Sequence, residues 1–389
     1  MTTAAIDLDL SRYHRQMLLP GFGEEGQRRL LASKALILGC GALGTVIANT
    51  LARAGVGHLV IVDRDFIEIT NLQRQVLFDE DDVKNAIPKA VAAKNKIATI
   101  NSQVQVEAIV DDINHSNIER FAQGCDILVD GVDNFETRFL ANDVAVKHGL
   151  PYIYGGAVGT VGMSYAILPH REPGPVAPDS EPGRHGPARY AWESLAGGSR
   201  ATPCLRCIFE QAPPPGMNPT CDTAGVMGPI VSIIASYQAG EAIKVLSGNY
   251  ERVCPTMLHL DLWSNTVKQL KVARAYDVGD CVCCKHRQFE HLAGKFGSST
   301  TTLCGRNAVQ LTHKQGDGGK LDFDGIAARL RSHGPVNQSK FMLRATLTGE
   351  RTEEGEAFEL TLFTDGRAIV KGTKKADVAR TIYAKYVGS

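Results

Sequence analysis

The chain has 389 residues, with 42 Lys and Arg against 42 Asp and Glu and 43% hydrophobic residues. Zero net charge gives no field to draw it onto nucleic acid or an anionic membrane, and the composition suits one large α/β domain with a smaller appendage. Ten cysteines are too few for a disulfide framework in a chain of this size; with no apolar export segment in MTTAAIDLDLSRYHRQ, the location expected is the cytoplasm.

From about residue 35 the chain alternates short apolar runs with helical patterns. KALILG and HLVIVD read as strands around a helix at roughly 43 to 54. A helix over PKAVAAKNKIATIN follows, with Pro88 placed to start it. QVEAIV then reads as strand, NIERFAQG as a short helix and DILVDG as strand. NFETRFLANDVAVKHG is a helix ended by Gly149, and PYIYGG is strand. YIYGGAVGTVGMSYAILP as a whole is a buried strand pair, because glycines and polar residues interrupt it too often for a membrane span. This alternation predicts an α/β fold with a doubly wound, Rossmann-like, mostly parallel sheet.

Residues 170 to 203 break the pattern with a long Pro- and Gly-rich loop, which serves either as a linker or as a crossing over an active site. GPIVSIIASYQAGEAIKVLSG is a buried helix with Pro229 in its first turn. GKFGSSTTT, residues 294 to 302, reads as a linker. Beyond it FMLRATL and FELTLFTDGRAIVKG alternate as strands, and FDGIAARLRSHG and ADVARTIYAKYVG are helical. The organisation expected is therefore a large α/β domain over 1–293 and a small α/β domain over 303–389.

ILGCGALG places Gly39, Gly41 and Gly44 in a G-x-G-x-x-G frame after a strand, with Ala42 inside the same loop. Backbone N–H groups and a helix N-terminus then face any bound phosphate. Asp63 closes the next strand, at the distance where an acid accepts hydrogen bonds from ribose hydroxyls. That frame also fits an NAD(P)-dependent oxidoreductase. Asn71, Gln73 and Arg74 in TNLQRQ and Lys89 at a helix start argue for the greater charge of a triphosphate. DGVDN ends a later strand, carrying Asp133 and Asn134 to the carboxyl edge, where open sheets bind ligands. A carboxylate there can hold Mg2+ between phosphate oxygens.

Cys204 with Cys207 and Cys281 with Cys284 form two C-x-x-C pairs, the donor set of a structural Zn2+ site. A redox role is the alternative for a single pair. Cys283 lies inside the second pair and competes with Cys284 as ligand. Cys40, Cys125 and Cys254 read as packed small hydrophobes, and Cys304 as structural.

RYHRQ, GCGALG, VDRDFIEITNLQRQ, PK, DGVDN, CLRC, CDTAGVMGP and CVCC follow one another over residues 12 to about 285. In this order they resemble the ThiF/MoeB/HesA adenylyltransferases, relatives of the ubiquitin-activating enzymes. The resemblance implies attack by the C-terminal glycine carboxylate of a ubiquitin-like sulfur-carrier protein, ThiS-like or MoaD-like, on the α-phosphate of Mg-ATP. The setting implied is thiamine-thiazole or molybdopterin synthesis, the alternative being a scaffold that binds the carrier without the chemistry. Residue by residue, Asp63 would hold ribose, Asn71, Gln73, Arg74 and Lys89 the phosphates, and Asp133 the metal. Arg15 matches an arginine that reaches into a partner subunit, which implies a homodimer. Cys221 matches a cysteine that bonds to the carrier in the thiazole branch and is dispensable in the molybdopterin branch; the sequence leaves both open. Two departures stand out: Ala42, where many relatives have glycine, and Ala86, where a glycine commonly precedes the Pro-Lys pair.

Overall fold

The computed structural model describes residues 10–170, 191–196, 198–210, 225–295, 300–303, 307–312, 323–352, 354–364 and 367–387. Two compact units divide the chain. One is formed by Met1–Val83, Pro88–Ala212 and Val226–Phe296, the other by Lys84–Ile87, Pro213–Gly225 and Gly297–Ser389.

The first unit is built on β1 (Lys34–Leu38), β2 (His58–Val62), β3 (Gln105–Ile109), β4 (Ile127–Asp130), β5 (Tyr152–Val158), β6 (Val161–Ile167), β7 (Met257–Asp261) and β8 (Thr266–Leu270). They form one sheet in the order β3-β2-β1-β4-β5-β6-β7-β8. The pairings from β3 to β5 are parallel, and those from β5 to β8 are antiparallel. Residues 35–38, 59–62 and 127–130 are buried, as parallel strands covered on both faces must be, and this is why they read as continuous apolar runs. β1 lies between β2 and β4, so successive connections leave it in opposite directions and a crevice opens at its carboxyl end.

Local chemistry sets the helix ends around that crevice. Ala42–Ala54 stops at Gly55, whose φ of 87° suits a residue without a Cβ. Lys89–Ile100 starts after Pro88, whose extended backbone ends the incoming chain. Phe135–His148 begins where the Asn134 side chain accepts from Thr137 N–H and ends at Gly149. Gly228–Leu246 carries Pro229 in its first turn. A further helix, Gly23–Ala32, leads into β1.

The described end of the Pro- and Gly-rich stretch is anchored. Trp192 is 1% exposed and donates from Nε1 to Pro169 O at 3.0 Å, while Thr202 N–H donates to Leu168 O at 2.9 Å. Residues 171–190 of that stretch lie outside the described residues.

The second unit is an antiparallel sheet of β9 (Thr300–Leu303), β10 (Ala308–Thr312), β11 (Val336–Gln338), β12 (Met342–Arg351), β13 (Ala357–Phe363) and β14 (Arg367–Lys371), ordered β11-β12-β13-β14-β10-β9. Its helices, Phe323–Leu330 and Ala376–Tyr386, share one core with the strands. Ile326, Leu330 and Ile382 pack there with Val309, Leu343, Leu360 and Val370. Among the described residues of the chain, no helix is long and apolar enough to cross a membrane.

Candidate functional site

The glycine turn joins three pieces of backbone. Gly39 leaves β1 with φ of 83° and donates its N–H to Val62 O at 2.8 Å. A Cβ on Gly39 would lie 2.8 Å from Gly131 O, one on Gly44 2.0 Å from Gly39 O, and one on Gly131 2.5 Å from Gly39 O. These glycines therefore let the end of β1, the first turn of Ala42–Ala54 and the segment after β4 touch at the backbone. Gly41 differs: the nearest atom to a Cβ there is Gln75 Nε2 at 4.0 Å. It is the N-cap of Ala42–Ala54 and makes no side-chain cap, so the N–H groups of that turn are offered toward open space. Ala42 is the first helical residue and leaves this geometry intact.

Asp63 follows β2 and is 9% exposed. Its Oδ2 accepts from Cys40 N–H at 2.6 Å and its Oδ1 from Asp65 N–H at 2.7 Å. Burial pushes the Asp63 pKa up, and the nearby Lys89 opposes the rise. Lys89 is 3% exposed, and its Nζ donates to Asp65 Oδ2 at 2.9 Å. Its N–H also donates to Asp65 O, at 3.0 Å. Asp65, absent from the sequence reading, thus ties the acid after β2 to the lysine that begins the next helix. Cys40 is fully buried and its thiol is held neutral by that burial.

The TNLQRQ segment divides its side chains. Asn71 is buried, and its Oδ1 accepts from Glu68 N–H at 3.1 Å, half of a capping box on the turn Ile69–Asn71. Its carbonyl therefore holds its own loop. Gln73 is exposed, and Arg74 donates from Nη1 to Thr70 O at 2.9 Å. Gln75, which no sequence pattern marks, is 3% exposed and has an Oε1 with no hydrogen-bond partner among the described residues. Ala86 holds φ of 48°, a left-handed conformation that a Cβ disfavours.

Beneath the segment after β4 lies a buried ion pair that no periodicity announces. Asp130 is fully buried and Arg138 is 7% exposed, and Arg138 Nε donates to Asp130 Oδ2 at 3.1 Å. Asp130 also accepts from Val132 N–H at 3.0 Å and Tyr152 O–H at 3.0 Å. Arg138 Nη2 donates to Val132 O at 2.8 Å and to Gly155 O at 3.0 Å. Gln238 Nε2 adds a bond to Asp130 O at 2.8 Å. This network fixes the strand end from which Asp133 and Asn134 project. Asp133 is exposed, so its carboxylate is open to a cation. Asn134 donates to it weakly, at 3.4 Å, and spends its own Oδ1 on Thr137 N–H at 2.9 Å.

The sulfurs of Cys204, Cys207, Cys281 and Cys284 all lie within 4.8 Å of one another. Neighbouring pairs stand at 3.8 Å for Cys204 and Cys207, 3.6 Å for Cys204 and Cys281, and 3.3 Å for Cys207 and Cys284. Zinc bound by four thiolates at ~2.3 Å needs sulfurs about 3.8 Å apart, so this donor set fits. Cys283 turns its thiol to Asp143 Oδ1 at 3.3 Å and receives Asn142 Nδ2 at 3.3 Å.

Arg15 is exposed, whereas its neighbours are tied down. Arg12 donates to Ile100 O at 3.0 Å, Tyr13 O–H accepts from Asn101 at 2.9 Å, and Gln16 donates to Gln27 Oε1 at 2.7 Å. Cys221 and Cys304 lie outside the described residues.

With this geometry in view, the model of the ThiF family matches residues 13–283. The chain belongs to the ThiF family. Among its ThiF relatives, the sulfur carrier protein ThiS adenylyltransferase of Bacillus subtilis is 36% identical over 379 residues, covering 97% of this chain and 99% of that one. The sulfur carrier protein adenylyltransferase of Thermus thermophilus is also 36% identical, over 266 residues, covering 68% of this chain and 88% of the other. A crystal structure of Escherichia coli MccB with ATP superposes with a TM-score of 0.52 at 24% identity, covering 70% of this chain and 74% of MccB, which speaks for the fold.

Proposed function

We propose that the chain is an adenylyltransferase that uses ATP to activate the C-terminal carboxylate of a ubiquitin-like sulfur-carrier protein. The observation that carries this reading is the arrangement at the carboxyl edge of β1, β2 and β4. There the open turn at Gly41, the buried pair of Asp63 and Lys89 linked through Asp65, and the exposed Asp133 occur in a member of the ThiF family.

The turn at Gly41 receives phosphate oxygens on its N–H groups. Asp63 accepts from ribose hydroxyls with the lone pairs that Cys40 and Asp65 leave open. Lys89 and Arg74 neutralise phosphate charge, and Asn71 and Gln73 lie on the same loop. A bound Mg2+ supplies further neutralisation of the triphosphate, and Asp133, with Asn134 beside it, is the carboxylate available to hold it. The carrier carboxylate oxygen bonds to the α-phosphorus as the bond to pyrophosphate breaks, giving an acyl adenylate. That carboxylate is already ionised, so no general base is required. The residues position the reactants and spread charge.

The carrier we favour is ThiS-like, because the relative that spans 97% of this chain carries that name. We assign Zn2+ to the four cysteines as a structural ion. Arg15, exposed on a tethered turn beside Leu18 at 65% and Leu19 at 57% exposure, is suited to complete the site of a second copy in a homodimer.

ATP–pyrophosphate exchange with purified ThiS-like and MoaD-like carriers, assayed separately, tests this. Exchange with the ThiS-like protein is expected, and Asp133→Ala abolishes it while the fold survives. Exchange with neither carrier sinks the proposal, and tight nicotinamide binding in its place favours the oxidoreductase.

A further inference from the structure

Resting on the nucleotide placement just given, the direction of the bound molecule along the sheet edge follows from strand order. Phosphates lie at the turn after β1 and ribose at Asp63 after β2. The base therefore continues away from β4 and toward the end of β3. Asp63 N–H donates to Ile109 O at 3.1 Å, which keeps β2 and β3 together up to that point.

The side chain set between these two strand ends is Arg64. Its Nη1 donates to Asp112 Oδ1 at 2.8 Å, and its Nε lies 3.8 Å from Asp65 Oδ1. Asp112 is itself held: its N–H donates to Asp111 Oδ1 at 2.8 Å and its carbonyl accepts from Asn117 Nδ2 at 2.7 Å. The Arg64 and Asp112 side chains are 22% and 24% exposed, so the pair is largely covered. Burial opposes the guanidinium's charge, but Asp112 first, then Asp65, Asp133 and Asp63, more than restore it. The two carboxylates within reach, Asp65 and Asp112, come from the segments after β2 and β3, so Arg64 bridges the ends of those two strands. A guanidinium gripped along its N–H edge keeps its flat face for stacking, as a lysine ammonium cannot.

We propose that Arg64, held edge-on by Asp112 and Asp65, is the platform on which the adenine ring of the nucleotide stacks. The bland alternative is a partly exposed ion pair that only joins two loops and is indifferent to ligand.

Calorimetric binding of ATP and of inorganic tripolyphosphate to the full chain separates the two. Arg64→Ala is expected to weaken ATP about tenfold, the scale of a desolvated cation–π contact, while tripolyphosphate weakens less than threefold. Arg64→Lys, which keeps the charge and loses the plane, is expected to weaken ATP nearly as much and to leave tripolyphosphate unchanged. Unaltered ATP affinity in Arg64→Ala, full rescue by lysine, or equal losses for both ligands would each overturn the platform. Binding needs no carrier protein, so the two readings fail separately. A chain that binds ATP through Arg64 yet supports no pyrophosphate exchange refutes the adenylylation and supports the platform.

Discussion

Arg138→Met removes one partner of the fully buried Asp130 while filling most of the arginine's volume. Asp130 then keeps the bonds from Val132 N–H and Tyr152 O–H but loses its counter-charge. Breaking a buried pair from one side costs about 3–5 kcal/mol, because the remaining charge is uncompensated. The carbonyls of Val132 and Gly155 also lose their shared donor, at about 1 kcal/mol each, while the bonds that survive on the Asp130 carboxylate, from Val132 N–H, Tyr152 O–H and Gly155 N–H, soften the loss. A net cost near 4 kcal/mol is a large part of the roughly 5–15 kcal/mol that stabilises a domain. Urea unfolding followed by tryptophan emission measures it. The chain has two tryptophans, Trp192 at 1% and Trp263 at 76% exposure, and both belong to the nucleotide-binding unit. The pH dependence supplies a second check. Burial already raises the Asp130 pKa against the pull of Arg138, and losing the arginine raises it further. A carboxyl whose folded pKa exceeds its unfolded value binds more protons when folded, so its penalty is full above the folded pKa and fades as pH falls through it. The gap between wild type and variant should therefore narrow toward acid. A loss under about 1 kcal/mol at pH 8, or a gap that is flat with pH, would refute the uncompensated-charge reasoning.

Two glycines in one turn should fail in different ways. Gly44→Ala puts a Cβ 2.0 Å from Gly39 O and should cost about 3 kcal/mol or more in the same urea assay. Gly41→Ala meets nothing closer than 4.0 Å, so the protein should remain stable while ATP affinity falls, as read by calorimetry. Metal analysis should find about one Zn2+ per chain, and Cys207→Ser should lower that content and shift the melt downward; a stable chain free of zinc would remove the assignment. Ala86→Gly relieves a residue at φ 48°, worth about 1–2 kcal/mol, against an entropic cost of about 0.5–1 kcal/mol. A small rise in melting temperature is expected, and a fall would show that the loop gains from the methyl group.

Strands buried on both faces were legible, because β1, β2 and β4 must be apolar throughout. β8 was not: among the described residues TVKQL pairs only with β7, and residues 267–270 are exposed, so no apolar run marks it. The glycine turn and Asp63 could be read because local backbone geometry demands those residue types. Asp65, Gln75 and Arg64 could not, since what gives them meaning is a partner far along the chain, Lys89 or Asp112 or the turn itself. Asn71 and Asn134 each carry a capping bond beside the ligand role expected of them. For Asn134 the signal was present, an asparagine just ahead of a helical run with Thr137 three residues on.

The crossing of Gly39, Gly44 and Gly131 also constrains how this sequence can drift. A bulky substitution in an ordinary core can be offset by shrinking a neighbour, because side-chain volume is shared among them. Here the facing atoms are backbone, and the residues at the contact are already the smallest available. No second substitution at the crossing can give the room back, so suppressors of a change there must come from elsewhere, by shifting whole segments. The turn is thus a point of no local compensation.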